Sequence, residues 1–246
     1  MKDIHGPIAP AAAAPRGQAP PPLESPPHTS IRFALTMLIV VLIGVGLSAI
    51  NPPHPADFAI EHILTAIFVI VLVATWKIFP LSRRSYALIT AFLLLHALGS
   101  HYTYSEVPYD AWSTRIGAWF GAAEFSLDRL LGFERNQFDR LVHFAFGVLL
   151  VHPIRELFAR LNAISGAWAS FSAINAVLAY SLVYECLEWG VALIMSEGVG
   201  QSYLGTQGDV WDAQKDMVLA GLGAVMAIGF GWVTVRFITR KSYRKS

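Results

Sequence analysis

The sequence predicts an all-α polytopic membrane protein with six transmembrane helices, and three observations carry that prediction. The 246-residue chain is 54% hydrophobic and only 14% charged, whereas soluble domains carry about 25% charged residues. Six apolar stretches approach the roughly 20 residues that a helix needs to cross a bilayer. The net charge of +1 gives no strongly basic face, so no nucleic-acid partner is expected.

The six predicted spans form one transmembrane domain, residues 32–239. They cover about residues 33–50, 59–79, 86–99, 141–158, 168–195 and 213–238. The first two end at prolines, which lack the backbone N–H that a helix interior requires. The third is the shortest, and it reaches full length only if the helix continues to Tyr104.

The two ends of the chain read as tails. Residues 1–31 are rich in proline and alanine and have no large apolar run, so a disordered cytoplasmic tail is predicted. Residues 240–246 form a short basic tail, also predicted to be cytoplasmic. Of the 18 lysines and arginines, 13 fall on the side of the amino terminus. Basic residues favour the cytoplasmic side, so both termini are predicted to lie there.

The connection between the third and fourth spans, residues 101–138, contains a further helical pattern. Trp112, Ile116, Trp119, Phe120 and Ala123 recur at helical spacing, opposite polar positions. Such a helix can lie in the membrane interface with its tryptophans at headgroup depth. It can equally pack over the mouth of the bundle, and the sequence leaves both arrangements open.

Ionisable residues within or beside the spans collect on the periplasmic side of this topology. Charged groups inside a membrane are costly and usually serve a function. The candidate catalytic residues are His143, Glu185 and Glu188. The candidate ligands of a divalent metal are His96, His101, Asp139, Asp212 and Asp216. Residues three or four apart on a helix share a face, as Asp139 and His143 do.

Crowded carboxylates repel one another in low dielectric unless a cation compensates their charge. A divalent metal could supply that charge, since histidine and carboxylates are suitable ligands. One of Arg129, Arg135 and Arg140 could supply it instead. Plainer roles also fit, with Asp212 capping the sixth helix and Asp139 orienting a histidine or pairing with an arginine. The sequence has no His-Glu-x-x-His motif to decide for a metal.

Four motifs in the same order carry a resemblance to a known family. They are His101–Pro108, Gly132–Arg140 leading into His143-Phe144, Tyr184–Trp189, and Tyr203–Asp209 followed by Trp211-Asp212. Together they resemble the YjdF-like family of uncharacterised bacterial inner-membrane proteins, over about residues 33–238. The resemblance implies location in the bacterial inner membrane and implies no particular reaction.

Two functions follow as hypotheses. The first is a metal-assisted, membrane-embedded hydrolase that acts on a lipid or envelope substrate, with histidine and glutamate as acid–base groups. The second is a non-catalytic membrane protein, either an assembly factor or an ion or proton pathway, in which the polar cluster is a structural network. A pathway needs polar residues across the whole membrane, and the cytoplasmic half has few. The sequence therefore disfavours a pathway.

Overall fold

The computed structural model describes residues 29–161, 164–195, 200 and 203–243, and this part of the chain is helical without strands. Its helices are α1 (Ile31–Ser48), α2 (Pro55–Thr75), α3 (Arg83–His101), α4 (Tyr109–Trp119), α5 (Leu127–Leu131), α6 (Phe138–Leu161), α7 (Gly166–Ile194) and α8 (Asp212–Tyr243). The predicted all-α class is therefore confirmed. Most of the predicted tails, residues 1–28 and 244–246, lies outside the described residues.

Five of the described helices are long and apolar enough to cross a membrane. They are α1, α2, α6, α7 and the Asp212–Val233 part of α8, with mean hydropathies between 1.4 and 2.3. Their outward side chains are large and apolar, as at Ile39, which is 54% exposed, and Ile70, which is 65% exposed. These surfaces suit lipid as the surrounding medium. Helix α3 corresponds to the third predicted span and is long enough, but it falls outside this apolar set.

Helix α3 lies inside the bundle, where it packs against α1, α2 and α6. Its buried face includes polar residues such as Ser85, Thr90 and His96. It runs antiparallel to α6. At the beginning of α3 the Ser85 hydroxyl donates to the Glu156 carboxylate at 2.5 Å, and at the middle of α3 the Phe92 and Phe146 rings lie 5.4 Å apart. A helix enclosed by other helices needs less apolar surface than one that faces lipid.

Helices α6 and α8 approach each other closely at two glycines. A Cβ added at Gly147 would clash with the carbonyl oxygen of Ala220 and lie 2.8 Å from the nitrogen of Ala224. A Cβ at Gly223 would likewise clash with the carbonyl oxygen of Phe144. Glycines at such positions let helix backbones approach closely in membranes. This contact sets the spacing of the two helices that later supply the site.

At the opposite end of the bundle, Glu156 of α6 fastens the beginning of α3. Its carboxylate accepts hydrogen bonds from the backbone N–H and the hydroxyl of Ser82, at 2.9 and 2.7 Å, and from Ser85. Arg160 donates to the same carboxylate at 2.9 Å and to the carbonyl of Pro80 at 2.6 Å. Both carboxylate oxygens of Glu156 accept hydrogen bonds, so we interpret this group as a structural link between α6 and the start of α3. We call it the Glu156 joint.

The connection between α3 and α6 contains the helical pattern expected there. Helix α4 ends at Trp119, four residues before the predicted pattern ends. Ile116, Trp119 and Phe120 are 50%, 82% and 83% exposed, while Trp112 packs edge-on against Tyr102. One side of α4 therefore rests on the bundle and the other presents bare aromatic surface.

Candidate metal centre

The amino-terminal ends of α6 and α8 bring together Asp139, His143 and Asp216. One potential ligand atom from each residue lies within 4.8 Å of the other two. Asp139 and His143 are one helical turn apart, with His143 Nε2 at 3.6 Å from Asp139 Oδ1. His143 is 7% exposed and Asp216 only 2% exposed, so the group is enclosed by protein. One imidazole and two carboxylates form a ligand set that suits divalent cations.

Helix α7 adds two glutamates to this group. Glu185 Oε1 lies 3.3 Å from His143 Nε2, and Glu188 lies beside Glu185 one turn further along the helix. The structure thus brings together all three candidate catalytic residues with two of the candidate ligands. Whether they catalyse a reaction is a separate question from their proximity.

Two buried carboxylate oxygens of this group have no hydrogen-bond donor among the described residues. They are Asp216 Oδ1 and Glu185 Oε1, the second of which has only the His143 ring nitrogen at 3.3 Å beside it, without hydrogen-bond geometry. A buried acceptor without a donor carries its desolvation penalty uncompensated, about 1–3 kcal/mol and more when charged. Both oxygens would gain a partner from a cation or from water bound to one. The donor set therefore fits a metal ion better than it fits a closed structural network.

Asp212 has a different partner. Arg135 binds its carboxylate with both guanidinium nitrogens, at 2.7 and 3.2 Å, and Arg140 donates to it at 3.2 Å. Arg140 also pairs with Asp209, to which Lys215 donates at 2.6 Å. We call these five side chains the arginine clamp. It joins α6 to the start of α8 and engages both carboxylate oxygens of Asp212.

The clamp holds Asp209 firmly in its ionised form. The hydrogen bond from Lys215, followed by those from the Trp211 N–H and Arg140, lowers the pKa of Asp209 to about 2. The turn before it has positive φ at Gly205, Gln207 and Gly208. This turn leads into α8 and places Asp209 in the clamp.

A second polar group, which we call the Glu61 group, adjoins the centre. Tyr184 donates to Glu61 Oε2 at 2.9 Å, and Tyr104 lies 3.5 Å from the same oxygen. The Tyr104 hydroxyl is 2.5 Å from His96 Nδ1. Tyr184 also contacts the metal centre, since its ring lies 5.8 Å from the His143 ring. His96, a candidate metal ligand, is therefore part of the Glu61 group. It does not join the carboxylates that surround His143.

His101 lies apart from both groups. Its Nδ1 donates to the backbone carbonyl of Ser48 at 2.7 Å, which ties the end of α3 to the end of α1. Its ring packs edge-on against Tyr102. The structure therefore does not bring His101 to the candidate metal centre.

Beside the two polar groups lies an apolar cavity of about 490 Å³. Asp139, His143, His96, Tyr104 and Tyr184 line one end, and Leu157 and Ile154 of α6 line the other. The walls come from α2, α3, α6 and α7, and they are mainly leucine, isoleucine and phenylalanine. Ligand pockets typically measure about 300–1,000 Å³ and combine apolar walls with a few polar groups. This cavity matches that description.

Sequence reasoning missed three residues of this region: Glu61, Tyr104 and Tyr184. Glu61 and Tyr104 were not among the candidate site residues. Both are buried, at 7% and 8% exposure. Glu61 could have been recognised in the sequence, because it is a carboxylate in the first turns of an apolar span. No comparable signal marked the tyrosines.

Comparison with known proteins places the chain in a family. Residues 33–237 match a family of predicted membrane proteins, DUF2238. The chain belongs to this family. It is also 35% identical over 199 residues to the inner membrane protein YjdF of Escherichia coli strain K12, which covers 80% of this chain and 86% of that protein. No solved structure matches. The expected YjdF-like membership is confirmed, and the chain is an inner-membrane protein with several apolar helices.

Proposed function

We propose that this protein is a membrane-embedded hydrolase that binds a divalent cation through Asp139, His143 and Asp216. The observation that carries the proposal is the buried, unpartnered Asp216 Oδ1 in a three-ligand group. Two members of that group also line the end of a ligand-sized apolar cavity. A lipid or another envelope molecule in that cavity would place its polar part next to the cation.

The chemistry assigned to this arrangement is hydrolysis of an ester or phosphoester. A bound divalent cation lowers the pKa of water and polarises the oxygen under attack. Glu185, adjacent to His143, accepts the proton of the attacking water, and Glu188 lies within reach to share it. The water oxygen bonds to carbon or phosphorus, the bond to the leaving oxygen breaks, and that oxygen takes the proton. The arginine clamp is a positioning element in this scheme.

The proposal includes α3 as a sixth span. Helix α6 is one of the five apolar helices, and α3 follows it antiparallel from Ser85 beside Glu156 to Phe92 beside Phe146. Helix α3 has 19 residues, about 28 Å of helix, so continuing this course along α6 would take it across most of the hydrocarbon core. Its polar residues are tolerated because they face protein. Six spans put both termini on one side, as the distribution of basic residues also favours.

Under the same topology the metal centre faces the periplasm and both termini are cytoplasmic. Helix α4 then lies in the periplasmic interface, with Ile116, Trp119 and Phe120 directed to the headgroups. Reporter fusions after Trp119 and after Lys241 test this arrangement. The expected result is opposite sides, periplasmic for the first and cytoplasmic for the second. Reports from the same side would contradict this topology. A third fusion after Lys77, between α2 and α3, isolates α3: it should report the cytoplasm, and a report from the same side as the Trp119 fusion would show that α3 does not cross the membrane.

The alternative function is a non-catalytic membrane protein, such as an assembly factor, in which the polar residues form a structural network. The arginine clamp favours it, because Asp212 is fully engaged there. An ion or proton pathway is less well supported. Between the candidate metal centre and the Glu156 joint the cavity walls on α6 are apolar, and the hydroxyls of Thr65 and Ser181 on α2 and α7 are too few to continue a polar path. The α6 wall residues there are Phe146, Leu150, Pro153, Ile154 and Leu157.

Metal binding by the purified protein separates the two functions. We expect one Mn²⁺ or Zn²⁺ per chain, measured by elemental analysis and by titration after purification without chelators. His143→Ala and Asp216→Asn should each abolish that binding. His152→Ala is the matched control, since His152 lies on the same helix near its other end. Absence of stoichiometric metal in the wild type would refute the hydrolase proposal.

Activity is measured on mixed bacterial polar lipids in detergent micelles, with release of water-soluble headgroups or fatty acids followed by mass spectrometry. We expect product with the metal-loaded wild type and with His152→Ala. His143→Ala and Asp216→Asn should give none. Metal binding without product from any lipid would contradict hydrolysis of lipids.

A further inference from the structure

Two hydroxyl groups in the cavity wall have no hydrogen-bond partner within the described part of the chain. They are Thr65 Oγ1 of α2 and Ser181 Oγ of α7, whose residues are 8% and 2% exposed. Serine and threonine inside membrane helices ordinarily bond to a backbone carbonyl or to a neighbouring helix. A buried hydroxyl without a partner needs an explanation, and a ligand that supplies an acceptor is one.

The two hydroxyls lie at the same depth of the bundle. The hydrogen bond from Tyr184 to Glu61 fixes the register of α7 against α2. Thr65 lies four residues beyond Glu61, and Ser181 lies three residues before Tyr184. Because the helices run in opposite directions, both hydroxyls lie about one turn, roughly 5 Å, below that hydrogen bond. They line the cavity between its polar end and its apolar part.

The cavity opens sideways between α2 and α7. Leu64, Tyr180, Val183 and Leu187 all line it, yet they are 40%, 57%, 54% and 46% exposed at the surface. Helix α2 packs mainly against α3, and α7 packs against α6 and α8. In a membrane-spanning bundle such an opening faces the acyl chains of the bilayer, so a lipid can enter without leaving the membrane.

The dimensions suit one acyl chain. Along α6 the cavity extends from His143 to Leu157, which is about 21 Å at 1.5 Å per residue. Half of a hydrocarbon core about 30 Å thick is roughly 15 Å, so a chain from one leaflet fits lengthwise. From the polar end inward the cavity offers charged groups, then two hydroxyl donors, then an apolar wall. A glycerolipid has the matching order: headgroup, ester carbonyl and hydrocarbon chain.

We infer that the cavity between α2 and α7 binds an acyl-ester lipid, with its ester carbonyl accepting hydrogen bonds from Thr65 and Ser181. Its headgroup then lies beside Asp139 and His143, and one acyl chain follows α6 toward Leu157. As a statement about the substrate, the inference rests on the proposed hydrolytic function. The binding itself needs no metal and is measured separately.

The test compares two lipids that differ only at the ester. Purified protein in detergent, with EDTA present, is titrated with dipalmitoyl phosphatidylglycerol or with its diether analogue, and bound lipid is counted by native mass spectrometry. We expect at least about fivefold tighter binding of the diester, the worth of one net hydrogen bond. The double variant Thr65→Val, Ser181→Ala should bind both lipids equally. Thr90→Val, a buried threonine on α3 outside this cavity, should keep the preference.

A second pair of variants tests the lateral opening. Val183→Trp narrows the opening and should weaken binding of both lipids at least tenfold. Leu182→Trp is the matched control, since Leu182 is 50% exposed but does not line the cavity. Farnesyl phosphate, which has a long chain and a phosphate but no ester, is titrated in parallel.

Equal binding of diester and diether lipids to the wild type would overturn the inference. So would a preference that survives in the double variant, or tighter binding of farnesyl phosphate than of the diester. If the wild-type protein binds no metal in the earlier experiment but still prefers the diester lipid, the hydrolase proposal is refuted and the lipid site is established. The two failures are therefore distinguishable.

Discussion

The substitution Gly147→Ala tests whether the close contact of α6 and α8 sets the geometry of the metal centre. The new methyl carbon would lie 2.8 Å from the nitrogen of Ala224, where ordinary contact begins at 3.4 Å. Relieving that contact alone moves the helices apart by about 0.6 Å, because backbone atoms cannot rotate away. His143 lies one turn before Gly147 on α6, and Asp216 lies one turn before Ala220 on α8. The displacement therefore reaches the ligands.

The magnitude follows from the tolerance of metal sites. Metal–ligand distances are held within about 0.2 Å of their preferred values. The helix displacement of about 0.6 Å is about three times that tolerance. We expect Gly147→Ala to weaken Mn²⁺ binding at least tenfold, or about 1.4 kcal/mol. Overpacking should also lower the free energy of unfolding by about 1–3 kcal/mol.

Two measurements check this result: Mn²⁺ titration and thermal unfolding of the protein in detergent micelles. Gly229→Ala is the control, since a Cβ there meets nothing within 4 Å. That variant should bind metal normally and unfold at the wild-type temperature or slightly above it. Wild-type metal affinity in Gly147→Ala would show that the helix contact does not position the ligands.

Three further predictions concern residues around the site. Because Lys215 and its neighbours depress the pKa of Asp209 to about 2, this carboxylate stabilises the fold above about pH 4, and the contribution is lost as the pH falls toward 2. Asp209→Asn should flatten that part of the unfolding profile, and an unchanged profile would refute the assignment. Glu156→Ala should lower the free energy of unfolding by about 1–3 kcal/mol without changing Mn²⁺ affinity, since its serine and arginine donors lose their acceptor far from the centre. Arg135→Lys cannot bind Asp212 with two parallel hydrogen bonds, so Mn²⁺ affinity should fall about tenfold in titrations while the fold is retained.

The helices themselves were predictable, because a membrane imposes a simple pattern on sequence. Lipid-facing helices need long apolar runs, and α1 begins at Ile31, two residues before the predicted start. Helix α3 was the weakest prediction. Its 19 residues are enclosed by other helices. Its amino-acid composition is therefore set by contacts with protein more than by contact with lipid. Hydropathy cannot distinguish such a helix from a buried helix of a soluble protein.

The site was predictable only within single helices. Asp139 and His143 share a face by their spacing, whereas the approach of Asp216 depends on how closely α8 meets α6. His101 lies five residues after His96, which turns it about 140° around the helix and away from the Glu61 group. Tyr104 reaches that group because positive φ values at Thr103 and Tyr104 fold the chain back over α3. No local pattern announces that turn.

The division of the site between α6 and α8 has a consequence for biosynthesis. Asp139 and Asp216 are separated by 77 residues of chain, which a ribosome makes in roughly 4–15 s at about 5–20 residues per second. Until α8 has inserted, Asp139 and His143 lack the third potential ligand, Asp216, and Arg135 and Arg140 lack Asp212. Helix α8 therefore supplies the carboxylates that pair with the charged groups at the start of α6. Chains truncated before Asp212 would keep Asp209 as a partner of Arg140 but would lack the carboxylates of Asp212 and Asp216.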